Sequence, residues 1–557
     1  MILDSSQRIK YYMERGIWED KTLLDYYCQH AKRTPDRIAL VDPYNKETLV
    51  GLKPEKLTFE KVDQITDRLA TGLIKEFGIV KDDIIMLQLP NINEAVIAIL
   101  GAWKAGAIIT FIPVTWRERE FWHVAGHLNA KIFISFEVFN GFNHLNMARK
   151  LQPDLPGLRH ILDMVTFSKL FESRPDQDLL AKRRPAANDV ATFVWTSGTE
   201  AMAKCCPRSH TSWIAYAQRN ASGYCAVLAN QTILVQSPIS SHAGMCLGPL
   251  IAFVYGMTCV MHHPFDFDSF LKQIHNEKVT ILLGVPALLN TILKHPKVDE
   301  LDLGSVNVLI TGSAPPSVYA MESIWKRWQI EVINGFGSTE GTSLVSGPAE
   351  MIKRDKRVNH LPWWGKPGLY WRTLGSECYQ TRLVDPETGT NVWDSGLTGE
   401  LWMKTPTIIP QYYKQPEYTR AAFDNDGFFH TGDIFKIQED AGYISYFDRK
   451  KDIIIRGGNN VSASEVENIA ISHPAIAETA AVAMPDERLG EKLCLYVVLQ
   501  PGKTLTLDEL TGFILKQGVA KYKLPERLEI IDGLPRNSAG KVLKWNLRED
   551  IRKKVSV

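Results

Sequence analysis

The chain reads as an α/β protein with a large N-terminal region and a smaller C-terminal domain, and three observations predict this. Short apolar runs alternate with amphipathic stretches, the pattern of parallel strands covered by helices. At 557 residues the chain exceeds what one hydrophobic core organises, so two or more domains are expected. The texture then changes at the charged cluster Arg449 to Asp452, which precedes Gly457-Gly458 and roughly a hundred residues of smaller elements. The expected domains are residues 1–448 and 449–557.

In chain order, the first strand is expected at Ile38 to Asp42. A helix follows that places Val62, Ile65, Leu69 and Leu73 on one face. Further strands are expected at Ile84 to Leu89, Ala107 to Phe111 and Lys131 to Phe136, and another at Ala191 to Trp195. Ala243 to Met261 carries no charge and is long enough to cross a bilayer. Gly244, Gly248, Pro249 and Gly256 interrupt it, so it is read as a buried helix, a glycine stop and a buried strand.

Bulk charge narrows the function. Lysine plus arginine (64) nearly cancel aspartate plus glutamate (63), which removes the footprint expected of a nucleic-acid or anionic-membrane binder and leaves small molecules as partners. Eight cysteines include no C-x-x-C pair, and adjacent Cys205-Cys206 suits neither zinc nor a disulfide framework, so reduced, structural thiols are expected. The first twenty residues mix both charges with aromatics and contain no apolar core of a signal, so a cytoplasmic protein is expected.

Four loops carry chemistry. Thr196, Ser197, Gly198 and Thr199, followed by Glu200-Ala201-Met202-Ala203-Lys204, offer hydroxyls, a permissive glycine and a terminal lysine, the parts that wrap phosphate oxygens; an ordinary polar loop has a similar composition. Asn334-Gly335-Phe336-Gly337-Ser338-Thr339-Glu340-Gly341 lets backbone approach a flat ligand, with Glu340 as a hard oxygen for magnesium, although a tight turn looks alike. Gly427 to Asp433 ends in a carboxylate able to accept from two ribose hydroxyls, or in a turn aspartate. Asn537-Ser538-Ala539-Gly540-Lys541 sets a lysine on a small-residue loop, either as a fixed charge for a reacting carboxylate or as a solvated side chain.

Together, and in this order, these residues resemble the core motifs of the adenylate-forming superfamily: acyl-CoA synthetases, luciferase-type enzymes and peptide-synthetase adenylation domains. T-S-G-S/T-T-G-x-P-K aligns with Thr196 to Lys204, Y-G-x-T-E with Phe336 to Glu340, and G-W/F/Y-x-x-T-G-D with Gly427 to Asp433. D-R-x-x-D-x-I fits Asp448 to Ile454, and P-R-x-x-x-G-K fits Pro535 to Lys541. The resemblance implies a large N-terminal domain of packed α/β subdomains, a small mobile α+β C-terminal domain, and an active site between them. It also implies roles. Lys204 and the Thr196 to Thr199 loop would hold the leaving phosphates, Glu340 would ligate magnesium, and Asp433 would bind ribose with Arg449 nearby. Gly312, Ser313, Ala314 and Pro315, with Asn334, Gly335 and Phe336, would sandwich adenine. Lys451 would be the hinge, and Lys541 would meet the carboxylate and the α-phosphate. ATP, Mg2+ and coenzyme A are the implied cofactors and co-substrates. The carboxylate would attack a phosphorus surrounded by negative oxygens, so positioning and fixed positive charge do most of the work.

The chain also departs from the pattern. Glu200, Ala201 and Ala203 replace the usual threonine, glycine and proline, and Glu200 brings a negative charge toward a phosphate site. Either the Glu200 side chain points away or it weakens the hold on pyrophosphate; an unusual ATP or pyrophosphate affinity is expected, and unchanged kinetics for both ligands in Glu200→Thr would remove it. His242, in Pro238-Ile239-Ser240-Ser241-His242, stands one residue later than in P-x-x-H; it is either a wall of the acid pocket or a structural histidine. Ser240, Ser241, Ala243 and Gly244, beside Met245 and Phe336, suggest a compact apolar pocket. Pro207-Arg208-Ser209-His210 is similar to P-R-S/T-H of aryl-acid adenylating enzymes, so benzoate-, cyclohexane- or cyclohexene-carboxylate-like acids are the expected substrates. Two rival readings stand beside the CoA ligase: an adenylating enzyme that loads a separate carrier protein, and a catalytically silent nucleotide-binding regulator. Oligomeric state and reaction direction, including ATP formation from acyl-CoA, are left open.

Overall fold

The computed structural model describes residues 1–196, 203–220, 223, 230–312, 316–457, 459–537 and 540–555. The chain divides into two compact units. One comprises Met1–Thr196, Met202–Gln380 and Lys404–Phe429; the other includes Thr381–Met403 and His430–Val557.

The first unit holds two largely parallel sheets. In the larger, the strands run in the order Ser343–Ser346, Glu331–Gly337, Val308–Gly312, Ile281–Gly284, Thr232–Val235, Thr258–Met261, Ile38–Val41 and Lys56–Thr58. Only the two edge strands pair antiparallel. In the smaller sheet the order is Cys205–Ser209, Val190–Trp195, Ile108–Phe111, Ile84–Gln88, Ile132–Ser135 and His160–Leu162, with Cys205–Ser209 as its antiparallel edge. Inner strands such as Ile84–Gln88 and Val190–Trp195 are buried along their whole length, which is why they read as unbroken apolar runs. The expected strands form within a residue or so of their predicted ends.

The helix Phe59–Phe77 starts on Thr58, whose hydroxyl accepts from the Lys61 amide, and ends at Gly78 in the left-handed region. Val62, Leu69 and Leu73 are buried on it, and Ile65 is half-buried. The uncharged stretch after Ser241 forms helical segments to Tyr255, a left-handed stop at Gly256 and the buried strand Thr258–Met261. Among the described residues no helix is long and apolar enough to cross a membrane.

The second unit is α+β. Tyr443–Arg449, Phe429–Ile437, Thr398–Lys404, Gln380–Val384 and Asn391–Val392 lie in that order in one sheet. A second sheet runs Asn459–Val461, Ile454–Arg456, Gly490–Leu499, Ile476–Asp486, with Arg527–Ile530 parallel to Gly490–Leu499. Its apolar face, including Ile454, Leu493 and Leu495, packs with Val466 and Ile514 of the helices Ala463–Ala470 and Leu507–Lys516. This compact unit also takes in residues 381–403 and 430–448, ahead of residue 449. Strands before that point share ladders with Tyr443–Arg449, and the Asp448 carboxylate accepts from the Ser462 hydroxyl (3.0 Å) and the Ser464 amide (3.1 Å).

Candidate active site

The strands Val190–Trp195 and Cys205–Ser209 form a hairpin whose last ladder pair is Trp195 with Cys205. Beyond it, the Thr196 amide donates to the Lys204 carbonyl (3.1 Å) and the Lys204 amide donates back to Thr196 Oγ1 (3.0 Å). The expected phosphate loop is therefore tied at its base. Ser197, Gly198, Thr199, Glu200 and Ala201 lie outside the described residues, as do Ser313, Ala314 and Pro315 of the expected adenine site. Ala203 is buried, and its carbonyl accepts from the His123 ring Nε2–H (3.0 Å).

The Lys204 ammonium lies 5.0 Å from the ring centre of Tyr412 and 4.9 Å from that of Tyr418, within cation–π range. Tyr412 donates its phenol hydrogen to Glu340 Oε1 at 2.8 Å. Burial, then the Glu340 charge, pushes the Tyr412 phenol well above its ordinary pKa, so it stays protonated as a donor. Two of the expected catalytic groups, Lys204 and Glu340, thus meet on one tyrosine. The next residue, Gly341, has φ +103°, and a Cβ there would come within 2.0 Å of the Thr407 carbonyl. The Thr407 hydroxyl donates to the Gly341 carbonyl at 2.7 Å, fixing the segment that carries Glu340.

At the C-terminal ends of the parallel strands, where open α/β sheets bind ligands, Gly312 lies beside Gly335. A Cβ on Gly312 would sit 2.8 Å from the Gly335 carbonyl, so this approach requires glycine. The Asn334 side-chain amide donates to the carbonyls of Arg357 (3.2 Å) and Val358 (3.1 Å), which ties the strand Glu331–Gly337 to the end of the helix Arg354–Arg357. Phe336 and Thr339 are half-buried and Gly337 is exposed.

Of the expected acid-pocket residues, Ser241 caps a short helix, accepting from the Gly244 amide (3.1 Å) and donating to the Pro238 carbonyl (2.7 Å). Gly244 is packed so that a Cβ would lie 2.1 Å from that same carbonyl. Ser240 is half-buried and Ala243 exposed. His242 is buried, stacked on Trp213 at 5.0 Å and edge-on to Tyr216 at 5.3 Å. Both its ring nitrogens lack a hydrogen-bond partner among the described residues. Burial, and then the Arg208 charge, holds its pKa well below the usual value, so the ring is neutral.

In the second unit, Asp433 and Arg449 face each other across antiparallel strands, and Arg449 Nε donates to the buried Asp433 carboxylate at 2.9 Å. Lys451 is exposed in the turn after Arg449, where the Asp452 and Ile453 amides both donate to the Arg449 carbonyl. Lys541 is exposed, and its amide donates to Asn537 Oδ1 (2.9 Å) beside Gly540 at φ +77°.

The model of the AMP-binding enzyme family matches residues 28–413, and that of the AMP-binding enzyme C-terminal domain matches residues 465–541. The chain belongs to the AMP-binding enzyme family. It is 30% identical to the medium-chain fatty-acid–CoA ligase of Escherichia coli (strain K12), over 99% of this chain and 94% of the relative. It is also 30% identical to the 2,3-dihydroxybenzoate-AMP ligase of Bacillus subtilis (strain 168), over 98% and 96%. A solved Mycobacterium tuberculosis fatty acyl CoA synthetase superposes with a TM-score of 0.70 at 26% identity, covering 96% of this chain and 100% of that one. The protein is an adenylate-forming ligase, the superfamily that its motifs resemble.

In this AMP-binding enzyme no group of three or more His, Cys, Asp or Glu side chains that could hold a metal ion occurs among the described residues. A lone half-buried carboxylate, Glu340, fits magnesium, which retains water and phosphate ligands and takes only one or two carboxylates. Tyr412 escaped the sequence reading because it lies 72 residues from Glu340 and belongs to none of the aligned motifs. His210, which completes Pro207-Arg208-Ser209-His210, is a core residue: Nδ1 accepts from the Leu23 amide (3.4 Å) and burial lowers its pKa to about 3. Cys205 and Cys206 are free, buried thiols whose pKa values are raised by burial, in keeping with a structural role.

Proposed function

We propose that this ligase converts a compact aryl or alicyclic carboxylate to an acyl-adenylate, with release of pyrophosphate, and then transfers the acyl group to coenzyme A. The observation that carries the reading is the convergence of Lys204 and Glu340 on Tyr412 beside a clamped hairpin loop. In this scheme Lys204 and the Thr196 loop neutralise the leaving pyrophosphate, and Glu340, oriented by the Tyr412 hydroxyl, holds magnesium. Magnesium, when bound, supplies positive charge to phosphate oxygens. Gly312 and Gly335 leave a backbone surface for adenine, Asp433 with Arg449 takes the ribose, and Lys541 places its ammonium against the carboxylate. Lys451 is proposed as the pivot at the start of a C-terminal domain of residues 449–557.

A second reading is adenylation followed by loading of a carrier protein, and a relative named as an AMP ligase, as similar as the one named as a CoA ligase, favours keeping it. AMP release with magnesium ATP across short, branched, aryl and alicyclic acids, with and without coenzyme A, separates the two. Thiol-dependent turnover on one acid class is the expected result. Adenylate formation indifferent to coenzyme A selects the carrier-protein reading, and no AMP with any acid overturns both.

A further inference from the structure

Arg208 is fully buried, yet Nε, Nη1 and Nη2 all lack a hydrogen-bond partner among the described residues. A guanidinium remains charged in proteins, and a buried charge left without a partner is strongly disfavoured. This one stands 4.2 Å over the Trp213 ring, the ring on which the partnerless imidazole of His242 also stacks. Its near acidic neighbour, Asp4, is engaged by Arg8 at 2.9 Å. Gly341 leaves it room: a Cβ there would lie 2.5 Å from Arg208 Nη1. Cys206 and Arg208 share one face of the strand Cys205–Ser209, which Lys204 immediately precedes, and Arg208 stands four positions beyond the lysine, about 13 Å of extended chain. Arg208 is therefore a second cationic point, more deeply buried than Lys204 and beside His242, the expected wall of the acid pocket.

We infer that Arg208 is the receptor for a second carboxylate on the acid substrate, with His242 and Trp213 as neighbouring walls, so that the preferred acids are compact aryl or alicyclic dicarboxylates. This rests on the proposed ligase reading for the location of the acid and on the orphaned guanidinium for its charge. A planar fork of donors suits a carboxylate, which it can hold by two parallel hydrogen bonds.

The test is equilibrium binding of the three benzenedicarboxylates and of their methyl isosteres, the toluates, to the full chain with magnesium and a non-hydrolysable ATP analogue. At least one dicarboxylate is expected to bind about tenfold or more tightly than its toluate, the size of a charge-assisted pair. Arg208→Gln is expected to erase that ratio and Arg208→Lys to retain part of it. Equal or tighter binding of every toluate overturns the proposal, even if Arg208→Gln does not fold. A ratio that survives in a folded Arg208→Gln also overturns it. If benzoate plus free acetate binds as tightly as the dicarboxylate, the site belongs to a free anion and the substrate assignment falls. AMP release on monocarboxylates with no binding preference sinks this inference alone; a preference without AMP release from any acid sinks the ligase reading instead.

Discussion

Tyr412 links two groups that the sequence places far apart, and its hydroxyl is the atom to remove. Tyr412→Phe keeps the ring under Lys204 but leaves Glu340 Oε1 without its 2.8 Å donor. Adenylation rate at saturating ATP is expected to fall about tenfold, the worth of one hydrogen bond to a charged group. Its magnesium dependence should shift to higher concentration, which a magnesium titration of AMP release reads directly. A second residue-scale consequence concerns pH. His210 is held neutral by burial, its pKa lowered from 6.5 to about 3. Below pH 6.5 the unfolded chain takes up a proton that the folded chain refuses. The stability associated with this depressed pKa is thus complete above pH 6.5 and is lost as pH falls toward about 3. Denaturant midpoints across that window should decline in the parent, and the slope should flatten by about 1.4 kcal/mol per pH unit in His210→Gln.

At the scale of elements, Asp448 joins the end of Tyr443–Arg449 to the start of Ala463–Ala470, accepting from Ser462 Oγ and the Ser464 amide. Asp448→Ala should cost about 1–3 kcal/mol and accelerate amide exchange over residues 462–470 relative to the rest of the unit. Elements of this kind differ in how far the sequence reveals them. Ile84–Gln88 and Ile132–Ser135 were legible because strands buried on both faces read as nearly continuous apolar runs, here each broken only at its last residue. Cys205–Ser209 was not, since it carries Pro207 and Arg208 and resembles a loop; a sheet edge tolerates proline, and this arginine is buried against the usual tendency of its type. The motif loops were legible by resemblance, whereas Tyr412 and the isolation of Arg208 depend on contacts between distant segments that no local pattern encodes.

At the scale of the whole molecule, the expected site residues are shared between two units with separate cores. Lys204, Glu340, Gly312, Asn334 and His242 belong to the first; Asp433, Arg449, Lys451 and Lys541 belong to the second. Lys541 is exposed, so Lys541→Ala should change the melting temperature little. Adenylate formation should nevertheless fall about a hundredfold or more, as expected for loss of a fixed charge at a developing transition state. A parallel loss of melting temperature and activity would mark the lysine as structural. The clamp at the base of the expected phosphate loop bears on how freely that loop can vary. It is made by the backbone of Thr196 and Lys204 and one threonine hydroxyl, and none of its hydrogen bonds uses Ala203, whose methyl is instead buried in the core. The foot of the loop is thus held twice, by main-chain hydrogen bonds and by a buried methyl that leaves little room for a larger side chain, so enlarging residue 203 is expected to cost stability.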